Sequence, residues 1–238
     1  MSDQQLTVAL VHGAFADSSS WTGVIERLQK NGVQVTAIAN PLRGIAIDSA
    51  YVASELGQIS GRVLAVSHSY GGAVISNAAT NAKNVVGLVY VAAFAPDDGE
   101  RLGEVTAGSK DSVLNSALVP HQYPAGSGTG TEFSIAPSKT HEAFAADLSD
   151  AQAAVIAAIQ RPIADLAFSE PSGPPAWKSL PSWAVVATGD KAAGTDVVRS
   201  MAERAGATIT EVEGSHVIMI SQPQAVTDVI ETAIANVR

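Results

Sequence analysis

The chain has 238 residues, of which 46% are hydrophobic and 16% are charged. This length suits one large α/β domain, and the apolar content excludes an intrinsically disordered chain. The formal net charge of -9 makes nucleic acid and anionic membranes poor partners, and the absence of cysteine excludes disulfides, thiolate metal sites and a cysteine nucleophile.

The N-terminal residues begin with acidic and polar side chains and lack the basic region and long apolar core of a signal peptide. The longest apolar run, residues 85–95, is interrupted by Gly87 and followed by Pro96, so it predicts a buried strand and no membrane span. We expect a cytoplasmic protein, a monomer or a homodimer, with no membrane partner.

The first 96 residues predict an alternation of strands and helices. Strands are predicted over 6–11, 33–39, 62–66 and 85–94, and helices over 21–30, 49–59 and 71–81. Several of these strands are apolar on both faces, which is typical of a parallel sheet covered by helices on each side.

This alternation stops after Pro96. Residues 97–139 are rich in Gly, Ser, Thr, Pro and charge, and residues 125–133 (AGSGTGTEF) have the composition of a flexible segment. A helix is predicted over 140–160. We interpret 97–180 as a partly ordered cap, or lid, inserted into a core domain formed by 1–96 and 181–238; the alternative is a disordered surface loop.

The alternation resumes after Pro181, with strands predicted over 183–188 and 207–212 and helices over 196–205 and 223–237. The predicted fold class is therefore α/β, with a mostly parallel sheet, helices on both faces and a cap insertion.

The strongest chemical signal is the segment 67–72 (SHSYGG), which lies between a predicted strand and a predicted helix. It closely matches the G-x-S-x-G nucleophile elbow, with Ser67 in place of the first glycine. Such a turn forces φ near or above zero at the nucleophile and needs small neighbours, which Gly71 and Gly72 supply. Ser69 is the predicted nucleophile; the alternative is an ordinary strand-to-helix turn.

A second signal is the loop 12–15 (HGAF) after the first strand. Acyl transfer needs two backbone N–H groups at the developing oxyanion. Tyr70, which follows the nucleophile, would supply one, and Ala14 is the best-placed candidate for the other. We interpret His12 as structural.

The general base must be one of five histidines: His12, His68, His121, His141 and His216. The side chain of His68 is expected to point away from Ser69, and the cap histidines, His121 and His141, are expected to be exposed. His216 follows a strand and precedes the last helix, at the carboxyl edge of the sheet, and is therefore the predicted base.

The base needs an orienting carboxylate. Asp190 ends a strand at the same edge and lies between Ser69 and His216 in the chain, in the order expected of this kind of fold. Asp196 is the alternative acid, although a role in the first turn of the next helix also accounts for it.

These segments resemble the α/β-hydrolase superfamily, in the branch that holds plant methyl-ester esterases, hydroxynitrile lyases and their bacterial serine esterase relatives. The resemblance is carried by residues 11–15 (VHGAF), 67–72 (SHSYGG), 175–183 (PAWKSLPSW), 188–191 (TGDK) and 214–223 (GSHVIMISQP). It covers both flanks of the chain and the cap only loosely.

The resemblance implies a triad of Ser69, Asp190 and His216, an oxyanion hole from Ala14 and Tyr70, and neither metal nor cofactor. It implies ester hydrolysis through an acyl-enzyme on Ser69. Residues 191–194 (KAAG) depart from the relatives, which usually have Arg followed by a bulkier Ile-Pro pair. This departure affects the path of the chain after Asp190 and therefore the orientation of its carboxylate.

Hydroxynitrile lyases of this branch carry Thr after the first-loop His and Lys after the catalytic His. Here these places hold Gly13 and Val217, and Val217 offers no positive charge to a cyanide leaving group. The esterase interpretation is therefore favoured over the lyase.

The leading hypothesis is a carboxylesterase for small, rather apolar esters. It draws on apolar cap residues that are candidates for the pocket wall and that could equally pack on the core: Leu114, Leu118, Phe133, Phe144 and Phe168. The alternatives are an amide or lactone hydrolase or a cofactor-free perhydrolase with the same triad, and a ligand-binding protein without catalysis.

Overall fold

A computed structural model describes residues 5–237 of the chain. Its main sheet is parallel throughout, with the spatial order β2-β1-β3-β4-β8-β9, and a smaller antiparallel sheet has the order β5-β6-β7. The strands are β1 (Leu6–Val11), β2 (Gln34–Ile38), β3 (Arg62–His68), β4 (Val85–Val91), β5 (Leu118–Ala125), β6 (Gly128–Ile135), β7 (Ile163–Ala164), β8 (Ser182–Ala187) and β9 (Thr208–Val212).

Helices surround the main sheet. The helices α3 and α10 contact its strands directly, α2 packs on α3, and α1 packs on α10. The helices are α1 (Thr22–Lys30), α2 (Ile45–Gln58), α3 (Gly71–Ala78), α4 (Leu102–Ala107), α5 (Thr140–Phe144), α6 (Asp150–Ile159), α7 (Leu166–Ser169), α8 (Thr195–Arg204), α9 (Ile218–Ser221) and α10 (Pro223–Val237).

The central strands are buried on both faces. Every residue of β8 and all but the first of β3 are buried, whereas the edge strands β2 and β9 are partly exposed. Burial on both faces explains why the central strands read as continuous apolar runs in the sequence. The main sheet and its helices confirm the predicted fold class.

Two elements are longer than predicted, whereas β4 ends at Val91 and not at 94, and α3 ends at Ala78 and not at 81. The strand β3 continues beyond residue 66, because Ser67 and His68 pair with Tyr90 and Val91 of β4. The helix α2 begins at Ile45 and not at 49, after Gly44, whose φ of 148° suits glycine alone. The Asp48 carboxylate, in the first turn of this helix, accepts hydrogen bonds from the N–H groups of Arg43 and Gly44 and so holds the chain that precedes the helix.

The segment 97–180 is more regular than its composition suggests. Residues 125–133 do not form a flexible linker: they contain a turn with Gly126 at a φ of 59° and continue into strand β6. The helix predicted over 140–160 is two helices, α5 and α6, because Ser149 and Gln152 form a capping box that starts a new one. The boundaries of the cap as a separate domain stay a prediction.

One core side chain contacts the cap at three points. Arg43, just before α2, pairs with Glu132 of β6 at 2.7 Å and donates to the Pro162 carbonyl at 3.1 Å. Its guanidinium also lies 4.7 Å from the centroid of the Tyr123 ring. These contacts fasten the β5–β6 hairpin to the core. Within residues 5–237, no helix is long and apolar enough to cross a membrane.

Candidate active site

Ser69 lies in the sharp turn between β3 and α3. Its φ of 52° places it in the left-handed region, which costs a non-glycine residue about 1–3 kcal/mol. The surrounding backbone holds this conformation, since the Ser69 carbonyl accepts hydrogen bonds from Gly72 N–H at 2.9 Å and Phe94 N–H at 3.1 Å. The backbone of the predicted elbow is confirmed.

The elbow is packed too tightly for larger neighbours. A Cβ on Gly71 would lie 2.8 Å from the carbonyl oxygen of Val11, and a Cβ on Gly13 would lie 2.6 Å from the Ser69 Cβ. Both contacts are closer than side chains allow. Ser67, in the place of the first motif glycine, fits because it is a buried strand residue whose hydroxyl donates to the Val89 carbonyl.

His216 and Asp190 form a buried pair. The imidazole Nδ1 lies 2.8 Å from Asp190 Oδ2, and both side chains are 1% exposed. Because a carboxylate only accepts hydrogen bonds, the neutral ring carries its proton on Nδ1, which leaves a lone pair on Nε2. The His216 ring also packs against Phe144, with the ring centroids 5.0 Å apart.

A turn of small residues surrounds the Asp190 carboxylate. Its Oδ1 accepts hydrogen bonds from the N–H groups of Ala192 at 2.9 Å and Ala193 at 3.0 Å, so the buried charge is satisfied on both oxygens. The segment 191–194, which departs from the relatives, therefore supports the acid. Asp196 lies in the first turn of α8 and binds the cap, where Ser109 Oγ lies 2.6 Å away.

Ala14 and Tyr70, whose backbone N–H groups are the predicted oxyanion hole, line the same small cavity as Ser69 and His216. Both residues are buried. Within residues 5–237 neither N–H group donates a hydrogen bond to the backbone. Buried amides without an acceptor are rare, and this is the condition that an oxyanion hole requires. The structure thus places four of the predicted site residues around one cavity and the fifth, Asp190, in a hydrogen bond with His216.

His12 has a structural role, as predicted. Its Nε2 accepts the Asn40 N–H at 3.0 Å, and its Nδ1–H donates to the Gly13 carbonyl at 2.9 Å. Burial lowers the pKa of His12 to about 4, so the ring is neutral at pH 7. The ring thereby fixes the loop that carries Ala14.

His68 lies beside the proposed base. Its ring is 4.6 Å from the His216 ring, between centroids, and its Nε2 hydrogen-bonds the His216 carbonyl at 3.0 Å. Burial, with the nearby His216 ring, holds the His68 pKa well below its usual value. His121 is exposed as expected, and His141 is half-buried, with Nδ1 3.0 Å from Asp150.

The cavity at Ser69, which we call the Ser69 cavity, has a volume of only about 20 Å³. Of the apolar cap residues named from the sequence, Leu114, Phe144 and Phe168 line it, whereas Phe133 packs behind Phe168 and Leu118 packs on the core. Sequence reasoning missed four further lining residues: Phe15, Phe94, Thr106 and Ala193. Across residues 5–237, no group of three or more His, Asp or Glu side chains could hold a metal ion.

Sequence reasoning also missed Asp147, between α5 and α6. Its Oδ2 accepts the Ser215 N–H at 2.9 Å, and its Oδ1 accepts the Ser215 hydroxyl. Burial opposes ionisation, but the hydrogen bonds from Ser215 outweigh it and lower the Asp147 pKa. A carboxylate of the cap thus holds the residue next to His216.

Comparison with known proteins decides the family. A model described as "Alpha/beta hydrolase family" matches residues 8–229. The chain belongs to the alpha/beta hydrolase family. The match confirms the superfamily, the fold class and the hydrolase type of enzyme predicted from the sequence. The search of curated proteins found no significant match.

Solved structures resemble this alpha/beta hydrolase over nearly its whole length. Polyneuridine aldehyde esterase is 20% identical with a TM-score of 0.80, covering 97% of this chain and 100% of its own. Tomato methylketone synthase I, complexed with 2-tridecanone, is 18% identical with a TM-score of 0.79, covering 98% and 99%. A pyrethroid hydrolase, PytH, is 19% identical with a TM-score of 0.73, covering 96% and 97%. At these identities the likeness shows the fold.

Proposed function

We propose that this alpha/beta hydrolase cleaves carboxylic esters of small, rather apolar substrates through an acyl-enzyme on Ser69. One observation carries the proposal: Ser69, His216, Ala14 and Tyr70 line one small cavity, and Asp190 is hydrogen-bonded to Nδ1 of the His216 ring. This set contains every group that acyl transfer to a serine requires.

In the proposed mechanism, the Ser69 hydroxyl attacks the ester carbonyl while His216 Nε2 takes its proton. The N–H groups of Ala14 and Tyr70 donate to the oxyanion of the tetrahedral intermediate. The protonated His216, stabilised by Asp190, then gives the proton to the leaving alkoxide, and the alcohol departs. A water molecule, activated by His216, attacks the acyl-enzyme and releases the acid.

The surroundings support an ester over a cyanohydrin. Val217, next to His216, is 1% exposed and apolar, so nothing at this position stabilises a cyanide anion. One structural neighbour is named an esterase and another a hydrolase, which agrees with the proposal. A third is named a methylketone synthase, so the fold by itself does not fix the reaction. Amide, lactone and peracid chemistry by the same residues remain the second candidates.

Hydrolysis of p-nitrophenyl acetate and butyrate tests the proposal. We expect activity in the native chain, a loss of at least about 10³-fold in Ser69→Ala, and native activity in the surface control Ser54→Ala. A fluorophosphonate probe should label Ser69 alone. A native chain that neither hydrolyses the esters nor takes the label, or a Ser69→Ala variant with full activity, would refute the proposal.

Rates measured with amides, with lactones and with esters plus peroxide, compared with the rates of ester hydrolysis, would rank the alternative reactions. A cytoplasmic location is part of the same proposal, and cell fractionation would test it.

A further inference from the structure

A second cavity adjoins the Ser69 cavity. It has a volume of about 150 Å³, and we call it the side cavity. Its inner wall is apolar and its rim carries polar side chains that are partly exposed. The residues of the inner wall are Phe15, Phe144, Ile156, Val217 and Ile220, and those of the rim include Asp17 and Thr22. A polar rim around an apolar interior indicates a cavity that opens to solvent and can admit a ligand.

The two cavities share a wall of two rings. Phe15 and Phe144 line both, and their rings meet edge to face with centroids 6.1 Å apart. The Ser69 cavity, at about 20 Å³, has room for about one water molecule. Neither half of an ester fits in this volume, so a substrate must displace part of the wall. The wall that separates the Ser69 cavity from the side cavity is formed by Phe15 and Phe144.

The position of His216 indicates which half of the ester enters the side cavity. The leaving alkoxide must lie beside His216, because this residue gives it a proton. Phe144 packs on the His216 ring, with centroids 5.0 Å apart, and Val217 directly follows His216. Both residues line the side cavity. The alcohol half of the ester is thus the half that reaches it.

We propose that the side cavity binds the apolar alcohol part of the ester, up to about the size of a benzyl group. Apolar cavities of about 150 Å³ hold a benzene molecule in other proteins, which sets this size. The inference rests on the proposed ester hydrolysis and adds a substrate class to it: esters of short acids with apolar alcohols of roughly six or seven carbon atoms.

Two matched series of esters test the assignment of the halves. In acetates of alcohols from methanol to hexanol, kcat/KM should rise about three- to fourfold per added methylene, the gain expected when each is buried. In methyl esters of acids of the same lengths it should stay level or fall. A rise confined to the acid series would overturn the proposal.

Two variants on the exposed face of α6 test the location. Ile159 lines the side cavity and is 50% exposed, whereas Val155, one turn earlier, is 58% exposed and does not line it. Tryptophan in Ile159→Trp would narrow the side cavity without entering the core. We expect the ratio of kcat/KM for benzyl acetate to that for methyl acetate to fall about tenfold, and Val155→Trp to keep the native ratio. An equal ratio in both variants would overturn the proposal.

Binding of benzyl alcohol to Ser69→Ala, followed by NMR line broadening, separates this inference from the proposed function. Two double variants are compared, Ser69→Ala with Ile159→Trp and Ser69→Ala with Val155→Trp. Benzyl alcohol binding that is weakened in the first and kept in the second supports the side cavity even if no ester is hydrolysed. Ester hydrolysis without such binding, and without dependence on the alcohol, leaves the proposed function standing and refutes the side cavity.

Discussion

The carboxylate of Asp147 accepts two hydrogen bonds from Ser215, one from its backbone N–H and one from its hydroxyl. Asp147 belongs to the loop between α5 and α6, and Ser215 immediately precedes His216. The loop that carries the proposed base is therefore held by the cap as well as by Asp190. Asp147 acts through Ser215 and is a positioning residue.

Truncation of Asp147 should impair proton transfer by His216 more than it impairs substrate binding. In Asp147→Ala, the Ser215 N–H and hydroxyl lose their acceptor, which costs about 1–3 kcal/mol of stability. We expect kcat for p-nitrophenyl acetate to fall about tenfold or more, with little change in KM, because the loss falls on proton transfer.

Glu142→Ala is the control. Glu142 is an exposed residue of α5 that forms a surface ion pair with Lys139, and such pairs contribute little to stability. An unchanged kcat in a folded Asp147→Ala variant, shown by circular dichroism, would contradict the positioning role.

Substitution of the two candidate acids, Asp190 and Asp196, should affect different properties of the protein. Asp190→Asn keeps an oxygen for the N–H groups of Ala192 and Ala193 but disturbs the tautomer of His216, so kcat should fall about 10⁴-fold with the fold intact. Asp196→Asn weakens hydrogen bonds to Ser109 and Lys110, so it should lower the melting temperature and leave kcat within about threefold of native. Steady-state kinetics and thermal melts of both variants test these expectations. A large loss of kcat in Asp196→Asn, with kcat of Asp190→Asn near native, would make Asp196 the acid.

Two glycine-to-alanine substitutions should have opposite effects. In Gly13→Ala, the new Cβ would lie 2.6 Å from the Ser69 Cβ and 2.8 Å from the His68 carbonyl oxygen, so the loop must shift and activity should fall. Gly57, in α2, has open space around it, so Gly57→Ala should raise the free energy of unfolding by about 0.5–1 kcal/mol without loss of activity. Urea titrations and ester hydrolysis measure both. Native activity in Gly13→Ala would contradict the tight packing of the elbow against this loop.

Stability should fall as the solution becomes acidic, in part because of His12. Its pKa is lowered from 6.5 to about 4 in the folded chain, so the unfolded chain takes up a proton first. The contribution is therefore complete above the unfolded pKa and is lost as the pH falls through the folded pKa, up to about 3 kcal/mol in all. The buried His68, with its lowered pKa, adds in the same direction.

We expect the free energy of unfolding of the native chain to decrease between about pH 7.5 and about pH 4.5. The decrease should be smaller in His12→Gln, whose amide oxygen can replace the acceptor for the Asn40 N–H. It should be unchanged in His121→Gln, since His121 is exposed. Urea unfolding at several pH values measures the free energy of unfolding. An equal dependence of this free energy on pH in all three chains would exclude His12 as a source of the acid destabilisation.

The sequence was sufficient for the elements whose signals are local. Continuous apolar runs identified the central strands, and the spacing of small residues identified the elbow at Ser69, because burial on both faces and close packing leave few residue choices. The final helix, α10, has the predicted bounds, set by Pro223 at its first position.

The remaining features depend on distant contacts. The hairpin β5–β6 reads as a linker in the sequence, because its stability comes from pairing and from Arg43 rather than from apolar alternation. The position of His68 beside His216 joins residues 148 apart in the chain. The capping box at Ser149 and Gln152, by contrast, was a local signal that an Ala-rich composition concealed.

The attachment of Arg43 to the hairpin bears on any attempt to engineer a new specificity by exchanging caps. A chimera that receives residues 97–180 from a relative would leave the guanidinium facing whatever the donor supplies in place of the Glu132 carboxylate and the Pro162 carbonyl. Donors that lack these acceptors should leave a half-buried cation without a partner and a less stable β5–β6 hairpin, and replacing Arg43 at the same time, to suit the donor, should restore stability.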